Sequence, residues 1–227
     1  KAIEQNILSI GSSPTFSGTT TGSGSYDNQK VVSITAQPMD GFSFVEWIGE
    51  GLTDSYSSST QIILNQDSNI TALFSLNSHK LDLETEGGGS LNGAGTYSYG
   101  SEVEIIATPE NGYSFTNWVG TGVMNPLSGK TFIQVDQNQS LQAIFTKKNF
   151  SLVLNAGTGG IVKGSGTFPY GSSVNIEAIP NSGFKFTAWQ GNGIQNPYSA
   201  STSVEITESL DLNASFEKLK VTSLPDT

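Results

Sequence analysis

Ala107-Thr108-Pro109-Glu110-Asn111-Gly112-Tyr113-Ser114-Phe115-Thr116-Asn117-Trp118-Val119-Gly120-Thr121-Gly122 decides the architecture of this chain, because the sequence holds it three times. It recurs as Ala36-Gln37-Pro38 running on to Gly41, Phe42, Phe44, Trp47, Gly49 and Gly51. It recurs again as Ala178-Ile179-Pro180 running on to Gly183, Phe184, Phe186, Trp189, Gly191 and Gly193. Trp47, Trp118 and Trp189 are the only tryptophans and stand 71 residues apart, as do Phe74, Phe145 and Phe216. A 71-residue period exceeds the roughly 20–50 residues of solenoid repeats, so each unit is expected to be a small domain with its own core. At this size a core is marginal, and support from neighbouring units is expected.

Outward from that stretch, each unit reads as strands and turns. In unit two, Leu81-Asp82-Leu83 opens the unit and Gly87-Gly88-Gly89 makes a turn. Gly93-Ala94-Gly95-Thr96-Tyr97 and the turn Tyr99-Gly100 follow, and then Val103-Glu104-Ile105-Ile106-Ala107 places apolar residues on one face and polar residues on the other, the mark of a half-buried antiparallel strand. Pro109, like Pro38 and Pro180, ends that strand, since proline cannot donate to a ladder. Tyr113 and Phe115 are at strand spacing, but Trp118 is three further on, so the strand must bend before it. A loop through Asn125-Pro126-Leu127 follows, matched by Asn196-Pro197-Tyr198 and Asp54-Ser55-Tyr56. A hairpin, Phe132 to Val135 and Leu141 to Phe145, closes the unit. No helical periodicity is present, so the two glycines of Gly93-Ala94-Gly95 lack the strand-loop-helix context of a phosphate loop and predict a bulge or close backbone approach.

The expected organisation is all-β, three tandem small antiparallel β-domains of about 71 residues in an elongated rod: 1–76, 77–147 and 148–218, with 219–227 as a C-terminal linker. Linkers of six residues between Phe74 and Leu81 and between Phe145 and Leu152 forbid free tumbling. Compactness scaling gives each unit a diameter of roughly 30 Å.

Ten Lys+Arg against twenty Asp+Glu give a net charge of −10, with only 13% of residues charged. Such a surface disfavours nucleic acid and anionic membranes, both of which are held by clustered Lys and Arg. Without cysteine there are neither disulfides nor thiolate metal sites. No stretch approaches the ~18 apolar residues of a transmembrane helix. Lys1 is not an initiator and nothing resembles a signal peptide, so the chain reads as a segment of something larger.

The pattern Gly-x-Gly-x-aromatic, turn-Gly, Val-x-Ile-x-Ala-x-Pro, Gly-aromatic-x-Phe-x-x-Trp-x-Gly and Leu-x-Ala-x-Phe resembles the divergent internalin-B-type B-repeat over about residues 6 to 217. The resemblance implies tandem arrays, an extracellular or bacterial cell-surface setting, a β-rich unit whose relatives are β-grasp-like, and no catalysis. It carries no binding residues across. Unit one departs from the pattern at its first turn and at Asn28-Gln29, where the other units have Tyr-Gly, as expected of a terminal copy.

The chemistry-bearing residues are sparse. The repeated aromatics Trp47, Trp118, Trp189, Phe44, Phe115, Phe186, Phe74, Phe145 and Phe216 are expected to form the cores, while Tyr56, Tyr99, Tyr170 and Tyr198, in loops or turns, are the candidates for contact with a ligand. His79 is the only histidine and becomes Phe150 in unit three, which leaves no Ser-His-Asp triad. Glu84 with Glu86, and Glu102 with Glu104, supply carboxylates on the polar faces of strands, but no acidic position recurs in all three units. Asp67 with Asn65, and Asp136 with Asn138, are too sparse for a calcium loop and read as hairpin turns. Leu224-Pro225-Asp226-Thr227 matches the start of a sortase signal or an ordinary linker. No cofactor or metal is expected. The expected role is a monomeric stalk or spacer that presents or separates other domains of the same larger protein, in an adhesion setting. The alternative is a module that binds a polysaccharide or a surface protein through its loop aromatics.

Overall fold

The structure, a computed structural model, describes residues 4–220. Leu224 to Thr227, the stretch resembling a sortase signal, lies outside the described residues.

Each unit contains seven strands. Unit one has β1 (Gln5–Ser13), β2 (Gly18–Thr21), β3 (Gly24–Asp27), β4 (Lys30–Pro38), β5 (Phe42–Ile48), β6 (Ser59–Leu64) and β7 (Ser68–Leu76). Unit two repeats them as β8 (Ser78–Glu86), β9 (Gly89–Asn92), β10 (Gly95–Ser98), β11 (Ser101–Pro109), β12 (Tyr113–Val119), β13 (Lys130–Val135) and β14 (Gln139–Lys147). Unit three repeats them as β15 (Asn149–Ala156), β16 (Gly160–Lys163), β17 (Gly166–Pro169), β18 (Ser172–Pro180), β19 (Phe184–Gln190), β20 (Ser201–Ile206) and β21 (Leu210–Lys218). The strands form a four-stranded sheet, β3-β1-β7-β5 in unit one, facing a three-stranded sheet, β2-β4-β6; units two and three keep the same orders. The described residues contain no helix, so the unit is a two-sheet arrangement and not a β-grasp, which needs a helix across its sheet.

The pairing is antiparallel everywhere except at the middle of the larger sheet. There β1 runs parallel to β7, β8 to β14 and β15 to β21, a correction to the fully antiparallel unit expected from sequence. Strand alternation reports which face is buried but not the direction of the neighbour, so this pairing was invisible in the residues. Its consequence is large. With the first and last strands parallel, the chain enters a unit at one end of the sheet and leaves at the opposite end, which strings units head to tail.

Each unit has its own core. In unit two, Val103, Ile105 and Ala107 of β11 and Ile133 and Val135 of β13 meet Leu81, Trp118, Leu141, Ala143 and Phe145 of the other sheet. Equivalent residues build the other two cores. Trp47, Trp118 and Trp189 are 2–3% exposed. Phe74 and Phe145 are buried, while Phe44, Phe115, Phe186 and Phe216 are half-buried against the same clusters.

Phe and Trp share a face despite their spacing of three because a bulge falls between them. The register slips between Phe44 and Glu46, between Phe115 and Asn117, and between Phe186 and Ala188. One extra residue in a strand kinks it and restores the alternation. The rings then pack together: Phe115 lies 5.9 Å from Trp118 in a tilted arrangement and 5.8 Å from Phe145 edge to face.

The first glycine of each Gly-x-Gly is a point of close backbone approach. At Gly93, φ is +112° and a Cβ would come within 2.6 Å of the Glu104 carbonyl oxygen. Tyr97 then folds back, its hydroxyl donating to the Gly93 carbonyl at 2.9 Å, and Tyr26 does the same to Gly22. These glycines shape a turn.

Candidate functional site

Two kinds of place recur along the chain: the junctions between units and the tips of the long loops. Tyr99 and Tyr170, expected to be free for a partner, sit at the junctions, where each is half-buried against the preceding unit.

The junctions are built from a glycine, a linker residue and an aromatic turn. In the first, the Asn77 N–H donates to the Gly41 carbonyl at 2.7 Å, and the Asn77 carbonyl accepts from the Tyr99 N–H at 2.8 Å. Ser43 Oγ donates to Asn77 Oδ1 at 2.6 Å. In the second, Lys148 N–H donates to the Gly112 carbonyl at 2.8 Å and Tyr170 N–H to the Lys148 carbonyl at 2.9 Å. A single linker residue is thus held by the unit behind it and the unit ahead of it.

The tyrosine ring covers the glycine. A Cβ on Gly41 would come within 2.2 Å of a Tyr99 ring carbon, and one on Gly112 within 2.2 Å of a Tyr170 ring carbon; the two glycines have φ of +80° and +78°. Only glycine satisfies both demands, a left-handed backbone and a flat seat for an aromatic ring. Tyr170 also packs edge to face with Tyr113 of unit two and Phe150 of its own unit, both at 6.4 Å. His79, the counterpart of Phe150, packs against Tyr99 at 6.1 Å. The turn is anchored in its own unit as well, since Gly100 and Gly171 N–H groups donate to Val135 and Ile206 carbonyls at 2.8 and 2.7 Å.

The loop tips are built over the tryptophans. Trp47 and Trp118 donate their indole N–H to the carbonyls of Ser57 and Ser128 at 3.0 and 3.1 Å, and Trp189 Nε1 has no such partner. Asp54, Asn125 and Asn196 each accept, through the side-chain oxygen, the N–H two residues on, at 2.9, 3.2 and 3.1 Å. Their own N–H groups donate to Thr60, Thr131 and Thr202 hydroxyls. These bonds fix a short loop whose tip presents Tyr56, Leu127 and Tyr198, which are 74%, 76% and 79% exposed. Leu127 joins the two tyrosines by position in the repeat. Aromaticity alone had singled out the tyrosines, and the shared loop position was the signal for the leucine.

Among the described residues, the carboxylates singled out in the sequence are paired or exposed. Glu104 is paired with Lys130 at 2.9 Å, while Glu84, Glu86 and Glu102 are exposed. Asp67 Oδ1 accepts from the Ile7 N–H at 2.7 Å and Asn138 Oδ1 from the Lys80 N–H at 2.8 Å, so both are turn residues bracing a neighbouring strand. Among the described residues no three His, Cys, Asp or Glu side chains gather where they could hold a metal. A shallow polar depression beside the unit-one loop, lined by Ser33, Thr53, Asp54, Ser57, Ser59 and Thr60, contains a single carboxylate.

Comparison with known sequences places the divergent InlB B-repeat domain on residues 8–78, 79–149 and 150–220. The chain belongs to the divergent InlB B-repeat family. Its repeats are consecutive, and each match spans one seven-stranded unit. No curated protein matches the chain. Among solved structures it is similar to the Bacillus anthracis TIE protein, at a TM-score of 0.42 and 7% identity, over 93% of this chain and 50% of that one. The chain thus spans half the length of that relative. It is also similar to the I67–I69 fragment of the titin I-band, at a TM-score of 0.16 and 8% identity, over 98% of both chains. Both likenesses are remote, and the B-repeat assignment stands on the sequence match.

Proposed function

We propose that this chain is a non-catalytic spacer: a clasped row of B-repeats that holds other domains of its parent protein at a set distance from a bacterial surface, or from one another. The observation that carries this reading is the junction, in which one linker residue is hydrogen-bonded to both neighbours and a tyrosine ring covers a glycine. A flexible tether needs none of those contacts. The parallel first and last strands support it further. From Gln5 to the level of Leu76 the larger sheet advances eleven residues in register, which at ~3.3 Å per residue is roughly 36 Å per unit. Three such units give a rod on the order of 100 Å. The mostly Ser, Thr, Asn and Gly surface, with 13% charged residues, suits a spacer that does not stick.

The test is small-angle scattering on the intact chain. A maximum dimension near 100 Å that stays constant with salt supports a stiff spacer. A broad distance distribution matching beads on a string would reject it.

A second reading is favoured by one observation, the exposed Tyr56, Leu127 and Tyr198 at equivalent, braced loop tips. On that reading the loops dock on a polysaccharide or a surface protein during adhesion. Titration of tyrosine fluorescence with polysaccharides, repeated on a variant with all three tips changed to serine, separates the two. A saturable response abolished in the variant favours binding, and no response favours the spacer.

A further inference from the structure

The three long loops share a backbone but differ in the side chains around the tip. In unit one the loop after β5 runs beside β6, with Leu52 bridging to Ile62, and leaves a depression of about 380 Å³ lined by Ser33, Thr53, Asp54, Ser59 and Gln61. That volume lies at the lower end of the ~300–1,000 Å³ of small-molecule sites. Tyr56 stands in the chain between Asp54 and Ser57, both of which line the depression. By position in the repeat, Ser33, Thr53, Ser59 and Gln61 become Asn175, Gln195, Ser201 and Ser203 in unit three, where the tip is Tyr198. The pairing agrees, since Ser33 lies opposite Gln61 and Asn175 opposite Ser203. In unit two the same places hold Glu104, Met124, Lys130 and Phe132, and the tip is Leu127. Glu104 and Lys130 pair with each other at 2.9 Å, and Met124 and Phe132 join Leu127 among the exposed apolar residues. An aromatic tip thus goes with neutral polar surroundings, and an aliphatic tip with apolar and ion-paired ones.

We propose that the loops of units one and three are subsites for a neutral oligosaccharide chain and that the loop of unit two is not. The inference rests on the loop-tip reading given above, and it names the class of ligand and the units that take it. A pyranose ring has an apolar face of axial C–H groups, which packs on an aromatic ring, and a rim of hydroxyls that both donate and accept. Tyr56 and Tyr198 supply the ring. Asp54 and Asn196 hold the backbone of each tip by accepting from the tyrosine N–H at 2.9 and 3.1 Å, so less freedom is lost on contact. Hydroxyl and amide side chains meet the rim, because each can donate and accept. Asp54 uses Oδ1 for the brace and keeps a second oxygen for a sugar hydroxyl, a charge-assisted bond. Leu127 offers no π face, and the Glu104–Lys130 pair would have to part before either could serve a sugar. The Asp54 carboxylate and the net charge of −10 select against uronate or sulfate groups. Sugar held on the loops leaves the junctions untouched, so a rod with such subsites is still a rod.

The experiment titrates the intact chain with cellotetraose, mannotetraose and chitotetraose, and with a hyaluronan tetrasaccharide as the acidic control, following backbone amide shifts by NMR. The expected result is a saturable shift of the Thr53, Tyr56, Gln195 and Tyr198 amides with at least one neutral sugar, and none at Met124 or Leu127. Two variants then divide the unit-one subsite. Tyr56→Leu copies unit two, whose loop keeps the same braces around Leu127, so the variant folds. Ser33→Glu with Ser59→Lys brings in the ion pair of unit two and leaves the ring in place. Each should weaken binding at unit one by about tenfold, with unit three unchanged as the internal control. If unit two responds as strongly as units one and three, or if only the acidic sugar binds, the proposal is refuted while the loop-tip reading survives. If no sugar shifts any loop, the proposal falls and the polysaccharide leaves the loop-tip reading with it.

Discussion

Changing Tyr170 to asparagine should open the second junction and leave every unit folded. Asparagine is the right probe, because unit one carries Asn28 there and its turn still forms, with Asn28 and Gln29 N–H groups donating to Glu4 and Leu64 carbonyls at 3.0 and 2.8 Å. The ring of Tyr170 is half-buried over Gly112 and packs on Tyr113 across the junction at 6.4 Å. Full burial of a large apolar side chain contributes ~1.5–3 kcal/mol, so half-burial gives about 1 kcal/mol. The cross-junction ring pair adds about 1 kcal/mol. A loss of about 2 kcal/mol shifts docking by roughly 30-fold, since 1.4 kcal/mol is tenfold. Hydrogen exchange of the Lys148 and Tyr170-position amides should accelerate by about that factor, while the Asn77 amide in the first junction, which shares no contact with Tyr170, stays as it was. Acceleration under about 3-fold at Lys148, or equal acceleration at Asn77, would refute the docking argument.

The other expectations concern cores and loops. Trp118→Ala should cost ~3–5 kcal/mol and unfold unit two, read as a separate early transition in a urea melt followed by circular dichroism, because Trp118 is 2% exposed in the middle of a small core. Gly89→Ala pushes a methyl group into the Phe145 ring and should cost ~1–3 kcal/mol by overpacking, seen as a lowered midpoint for the same transition. Asn196→Ala removes the brace on Tyr198 and should lower unit-three stability by only ~0.5–1.5 kcal/mol, with faster exchange confined to residues 196–202.

Much of this fold was legible because the chain repeats. Three aligned copies of Trp at 71-residue spacing gave the number of units, and the break from spacing two to spacing three between Phe115 and Trp118 gave a bend in the strand, which the structure resolves into a bulge. The parallel pairing of β8 and β14 was not legible, since the alternation of Leu81 and Leu141 is the same whichever way the neighbour runs. The junction was half-visible. Tyr99 and Tyr170 stood out as turn aromatics, and the change to Asn28 in unit one marked a position that differs between the copies. What they touch, Gly41 and Gly112, lies 58 residues earlier in each case, and a glycine announces nothing about a ring that will lie over it. The loop tips were misweighted for a similar reason: Leu127 is as exposed as Tyr198, but a lone leucine in a loop carries no chemical signal.

The central claim, that clasped junctions make three small domains into one stiff body, is tested most directly by residual dipolar couplings measured on the intact chain. The account predicts that amide couplings from all three units fit a single alignment tensor, with the units related as the two junctions dictate. Three tensors of different magnitude, one for each unit, would mean that the units reorient independently and would contradict it.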